Sequence, residues 1–257
     1  MFKTIRIMVL VTILIVVGIG TLQTRWRLAQ WELPVRAVVY PIVGDGSDVA
    51  RDYVRNLTVE TYRPIENYFT EEAKSFGVEP KHGPPLHVYL APPVDSLPPP
   101  PPIGGSVLSI MFWSLTLRYW AWRVDTYNGL SPDVRLFVLY HDPKTSEVLA
   151  HSLGLEKGRI GVVNAFATSA LAGSNNVVVA HELLHTLGAT DKYDLKTGQP
   201  RFPDGYAKPD AEPRYPQRFA EIMAGRIPLS DSESVVPPSL NATLVGDGTA
   251  REINWSK

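Results

Sequence analysis

The stretch from Ser174 to Asp194, SNNVVVAHELLHTLGATDKYD, constrains the fold more than any other part of the chain. His181, Glu182 and His185 stand in the spacing H-E-x-x-H. Residues four apart share one face of an α-helix, so His181 and His185 can address a single metal ion. Glu182 sits one step round the helix, where its carboxylate reaches a water on such an ion rather than the ion itself. The run Val177-Val178-Val179-Ala180 is apolar enough to bury the helix, and Ser174 or Asn175 is the expected N-cap. Gly188 suits the left-handed position that ends a helix. The chain can then turn back and carry Asp191 towards the two histidines.

Composition narrows the remaining options. A chain of 257 residues can hold one sizeable core, or a domain with appendages. The net charge of −1 gives no reason to expect a polyanion, so nucleic acid is not expected as a partner. The absence of cysteine removes disulfides, thiolate-ligated zinc and thiol catalysis together. The 23 prolines are concentrated between the periodic segments and predict long connections.

Met1 to Lys3 and Arg6 make a basic start, and Ile7 to Leu22 is apolar apart from Thr12 and Thr21. Residues 1–27 therefore read as a signal-anchor or transmembrane segment, with the bulk of the chain on the exported, periplasmic or extracellular side. The alternative is secretion after cleavage near Gly18-Ile19-Gly20. Trp26 and Trp31 fit either a membrane interface or a protein core.

Beyond residue 28 the periodicities alternate. Val35 to Ile42 reads as a strand, and Ser47 or Asp48 caps a following helix. The apolar positions from Val49 to Phe76 keep helical spacing, interrupted at Pro64 by a kink or by two abutting helices. Leu86 to Leu90 is a second strand. Residues 91–127 form an insertion. Its Pro98–Pro102 run favours polyproline II, as a stiff spacer or as a partner's docking site. Its aromatic stretch, Ser106 to Val124, reads as a buried or surface-lying amphipathic helix over the cleft. Strands are expected at Val134 to Tyr140, Glu147 to Leu153 and Arg159 to Phe166, with Val148 to Leu153 as the cleft edge. Residues 224–257 read as an irregular tail.

The run His181-Glu182-Leu183-Leu184-His185-Thr186-Leu187-Gly188-Ala189-Thr190-Asp191 resembles the extended zinc pattern of metzincin metallopeptidases, with Asp where His is usual, as in snapalysin-like members. Gly188-Ala189-Thr190-Asp191 with Tyr193 is also similar to the aspzincin signature. Ala220 to Gly225, around Met223, resembles a Met-turn. The resemblance implies an α+β zincin-like fold, a mixed twisted β-sheet backing the active-site helix. It also implies one catalytic Zn2+ held by His181, His185 and Asp191. Asp194 stands close enough to compete for the third place. The Tyr that often follows the Met, and the helix after that turn, are both missing here.

The expectation is a zinc metalloendopeptidase acting on a peptide or protein, with Glu182 as general base. Tyr193, Tyr206 and Tyr215 are equally placed to stabilise the oxyanion. The competing expectations are a membrane-anchored zinc-binding scaffold without proteolytic activity and a metal-free structural membrane protein. His82, His87, His141 and His151 lack ligand spacing, and of these only His151 falls on the expected edge strand.

Overall fold

The structure, a computed structural model, describes residues 6–8, 11–12, 26–102 and 104–256. Its frame is a five-stranded sheet. In chain order come β1 (Val35–Val43), α1 (Asp48–Arg55), a 3-10 turn (Val59–Tyr62), α2 (Arg63–Ser75), β2 (Leu86–Leu90) and α3 (Val107–Arg123). There follow β3 (Val134–His141), β4 (Leu153–Leu155), β5 (Ile160–Phe166) and α4 (Ala172–Thr186), the helix that carries His181 and His185. The spatial order is β2-β1-β3-β5-β4. Every pairing among β2, β1, β3 and β5 is parallel, and only the edge strand β4 runs antiparallel, against β5.

The strand sequences explain this arrangement. VRAVVYPIV, VRLFVLYH and IGVVNAF are nearly continuous apolar runs, which suits strands covered on both faces. Alternate side chains part to opposite sides. Val35, Ala37, Val39, Leu136, Val138, Val163 and Ala165 join a core built with α1, α2, α4 and the C-terminal segment. Val38, Tyr40, Ile42, Phe137, Leu139, Ile160 and Val162 join a second core with Leu117 and Ala121 of α3. Each Val, Leu, Ile or Phe among these, fully buried, contributes roughly 1.5–3 kcal/mol, and each Ala less.

Local chemistry fixes the ends of the elements. Ser47 caps α1, its Oγ accepting from Ala50 N at 3.1 Å. Pro64 falls in the first turn of α2, where its missing N–H costs nothing, so the expected break resolves into two helices with a 3-10 turn between them. Ser106 caps α3 by accepting from Ser109 N at 3.3 Å.

Several expectations are corrected. The fold is α/β with a mostly parallel sheet and helices on both faces, not α+β; the mixed character is confined to β4. No described helix is long and apolar enough to cross a membrane, so the spanning segment expected at residues 1–27 is not supported. Most of that segment lies outside the described residues. Trp31 is a core residue, its Nε1 donating to Ile253 O at 2.7 Å. The aromatic stretch does not overhang the cleft, because α3 covers the sheet face opposite α4. Nor is α3 amphipathic, for large apolar side chains cover its solvent face too. The edge strand begins at Leu153, five residues later than Val148.

The C-terminal segment is not an irregular tail. It contains β6 (Ala220–Glu221), β7 (Ile227–Pro228), β8 (Ser234–Val235), β9 (Thr243–Leu244) and α5 (Asp247–Glu252). Leu240, Val245, Ala250, Ile253 and Trp255 are buried in the main core.

Candidate metal centre

The helix α4 is tied down before it presents any ligand. Neither Ser174 nor Asn175 caps it: Ser174 Oγ donates to Leu171 O at 3.0 Å. Asn175 clamps the end of β5, accepting from Phe166 N at 3.0 Å and donating to Phe166 O at 2.9 Å. Asn176 Nδ2 donates to Thr61 O at 2.9 Å. These buried amides are therefore satisfied, as buried polar groups must be. The helix ends at Thr186, and Gly188 takes φ 111°, where a side chain would be strained.

His181 and His185 are oriented through their backbone-facing nitrogens. His181 Nδ1 lies 3.0 Å from Ile222 O, and His185 Nδ1 lies 2.8 Å from Ala189 O. A carbonyl only accepts, so both Nδ1 atoms carry hydrogen, and each imidazole, when neutral, presents the lone pair of its Nε2. The two Nε2 atoms are 3.1 Å apart, and Asp191 Oδ1 lies 3.1 Å from one and 3.3 Å from the other. Two imidazole nitrogens and a carboxylate oxygen converging this closely suit a cation between them. A tetrahedral ion with bonds of about 2.0–2.1 Å has ligand–ligand edges of about 3.3–3.4 Å, close to this triangle. His181, His185 and Asp191 can therefore hold a metal ion.

The electrostatics favour positive charge opposite Asp191. Burial works against the Asp191 carboxylate, yet the two histidines facing it, which donate from Nε2 when protonated, hold its pKa well below the usual range. Burial also opposes a charged His181, but Asp191, Glu182 and the Ile222 carbonyl raise its pKa on balance.

The loop carrying Asp191 is braced on both sides. Arg201 Nη2 donates to Asp191 O at 2.7 Å, and Lys192 N donates to Met223 O at 3.0 Å. Glu252 of α5 receives Thr190 N, Thr190 Oγ1 and Lys192 Nζ at 2.8, 2.7 and 2.6 Å. Met223 is fully buried in the turn whose Ile222 carbonyl orients His181. The carboxylate of Glu221 holds that turn by accepting from Ala224 N at 2.9 Å, Gly246 N at 3.2 Å and Thr249 Oγ1 at 2.7 Å.

Glu182 is 5% exposed, and its buried Oε2 has no hydrogen-bond partner. Burial raises its pKa, against the lowering pull of His181 and His185. The edge strand β4 crosses directly over this turn of the helix. A Cβ added to Gly154 would lie 2.4 Å from Glu182 O and 2.6 Å from His185 Cβ, so only glycine allows the approach.

The structure separates the remaining alternatives. Asp194 accepts from Lys196 N and Thr197 N, both at 2.9 Å, and so closes its own turn instead of joining the ligands. Tyr206 and Tyr215 bond each other at 2.6 Å, and Tyr215 donates to Asp231 at 2.8 Å. Tyr193 is the phenol beside the centre, its pKa raised by burial and by the charges of Asp191 and Glu182. His141 pairs with Asn164, and the exposed His151 contributes only its carbonyl, to Asn164 Nδ2. Sequence reasoning missed the orienting carbonyls of Ala189 and Ile222, the brace at Glu252 and the contact at Gly154. Only Gly154, a lone glycine beside a short apolar run, left a signal.

No protein-family model and no curated protein matches this chain. Among solved structures it is similar to OgpA from Akkermansia muciniphila, with a TM-score of 0.37 and 14% identity, over 87% of this chain. The chain spans 62% of the length of that protein. A likeness at this level carries no argument about function.

Proposed function

We propose that the chain is a zinc-dependent endopeptidase in which His181, His185 and Asp191 hold the ion and Glu182 is the general base. The observation that carries this reading is the unpartnered, buried Oε2 of Glu182 one residue from a ligand. An unsatisfied buried carboxylate is costly, and a scaffold or purely structural protein has no use for one. The resemblance of His181 to Asp191 to the metzincin and aspzincin ligand patterns supports the same reading. Bound there, zinc supplies Lewis acidity, acidifying a water and polarising a carbonyl, tempered by the negative charge of Asp191.

The chain's own groups divide the remaining work. Glu182 accepts a proton from the attacking water as its oxygen bonds to the carbonyl carbon. It passes that proton to the departing amine nitrogen as the C–N bond breaks. Tyr193 donates a hydrogen bond to the carbonyl oxygen as negative charge gathers there. The β4 edge supports an extended substrate, because main-chain pairing with Leu153 to Leu155 lays a peptide across the helix turn that bears Glu182 and His185.

The test is metal content together with cleavage of a diverse peptide library, wild type against Glu182→Ala. About one zinc per chain, cleavage abolished by chelation and no cleavage by the variant support the reading. Zinc bound with no turnover of any peptide refutes it in favour of a binding scaffold, and cleavage retained by Glu182→Ala refutes the role of Glu182.

A further inference from the structure

The helix α3 presents a second feature that the metal centre does not use. Only Leu117 and Ala121 of this helix are fully buried against the sheet. On the solvent side, Leu108, Phe112, Leu115, Tyr119 and Trp122 follow one another at steps of four and three residues, so they lie along one face. All five are more than half exposed, Trp122 at 71%. The three aromatics alone present roughly 400 Å², and soluble monomers rarely leave larger apolar patches than that uncovered without a partner.

The charged side chains carried by the helix itself have one sign. No Asp or Glu occurs between Asp95 and Asp125, while Arg118 and Arg123 lie on the helix. At the flank of α3, next to Arg118, is a cavity of about 880 Å³ that runs to Thr186–Gly188 at the end of α4 and is lined by Lys157, Arg159 and the exposed indole of Trp26. Two carboxylates share it, Glu156 and Glu252, and Glu252 is committed to Lys192 and Thr190. Arg118 Nη2 donates to Lys157 O at 2.7 Å, yet its buried Nε has no hydrogen-bond partner. An apolar strip bearing Trp and Tyr, flanked by cations, matches the layering of an anionic bilayer surface, acyl chains beside phosphates.

We propose that the outward face of α3, with Trp26 and the Arg118–Lys157–Arg159 cavity at its flank, is a docking surface for an anionic phospholipid bilayer. The helix lies in the interface and does not span it.

The absence of cysteine makes a local probe straightforward. In the full chain, Leu115→Cys carries a polarity-sensitive fluorophore. Val49→Cys, exposed on α1 at the opposite sheet face, carries the same dye as the control. Vesicles of phosphatidylcholine with about a third phosphatidylglycerol are expected to blue-shift the Leu115 label and leave the Val49 label unchanged. Adding Arg123→Glu and Lys157→Glu, both at exposed positions, is expected to weaken this partitioning at least tenfold. Phe112→Gln with Trp122→Gln is expected to abolish the shift while the far-UV spectrum is unchanged. Vesicle binding with no shift at position 115 overturns the proposal, as does an equal shift on pure phosphatidylcholine. A Leu115 shift that grows with protein concentration in the absence of lipid also overturns it, because a second copy then covers the face.

Discussion

Gly154→Ala tests whether the edge strand and the metal helix are one mechanical unit. The added methyl would sit 2.4 Å from Glu182 O and 2.6 Å from His185 Cβ. Comfortable separations are about 3.3 Å for carbon to oxygen and 3.5 Å for carbon to carbon, so β4 must recede by about 0.9 Å. Gly154 does not have a left-handed φ, so the effect is steric and carries no backbone strain. Overpacking of this kind costs about 1–3 kcal/mol, offset by about 0.4–1 kcal/mol because alanine restricts the unfolded chain. The expected net loss is about 1–2 kcal/mol, a fall in Tm of about 2–8 °C for a chain of this size. Activity is more sensitive, since a displacement near 1 Å can cost about a hundredfold. Differential scanning calorimetry and peptide-library cleavage on the zinc-loaded protein read both effects. A variant with unchanged Tm and wild-type cleavage refutes the contact and its role in aligning substrate.

Glu182→Gln should lower cleavage by about 10²–10⁴-fold while one zinc is retained, and should raise the Tm of the chelated protein by a few degrees, because a neutral amide is cheaper to bury than an unpartnered carboxylate; a lower Tm counts against that account. Glu252→Gln weakens the brace on Thr190 and Lys192 and should reduce zinc affinity about tenfold in a competition titration with an unchanged far-UV spectrum. Asp45 gives a pH signature. Burial pushes its carboxyl up, but Asp142 N, Ser47 N and Ser47 Oγ together hold the pKa below its ordinary value. Its stabilisation is therefore full above the unfolded pKa of about 3.9 and is lost as pH falls through the lower folded value. Asp45→Asn should flatten the decline of chemical-denaturation stability in that acid window, and an unaltered slope contradicts the assignment.

The parts of the fold legible in the sequence are those that local periodicity determines. The strand at Leu86 alternates, those at Val35, Val134 and Ile160 are short apolar runs rich in β-branched residues, and the apolar positions either side of Pro64 keep helical spacing. Strand pairing carries no such pattern. The continuous apolar runs in β1, β3 and β5 did hold the signal of a two-sided parallel sheet, and the stretch 107–123 supplies the cover that the second face requires. Residues 147–152 mimic a strand by composition but find no neighbour to pair with. The C-terminal segment buries scattered residues from very short elements, which no window of periodicity detects. At the site, the three ligand side chains stand in a recognisable spacing. The groups that aim them are main-chain carbonyls, and any residue type supplies a carbonyl.

That last point bears on synthesis. His181 leaves the ribosome well before its orienting partner at Ile222, and the brace at Glu252 follows thirty residues later still. A nascent chain that has reached residue 200 already carries both histidines and Asp191. It lacks the carbonyl that fixes the tilt of one imidazole and the carboxylate that seats the Asp191 loop. The side chains that can hold a metal ion are therefore aimed by groups that emerge later in the chain than the ligands themselves.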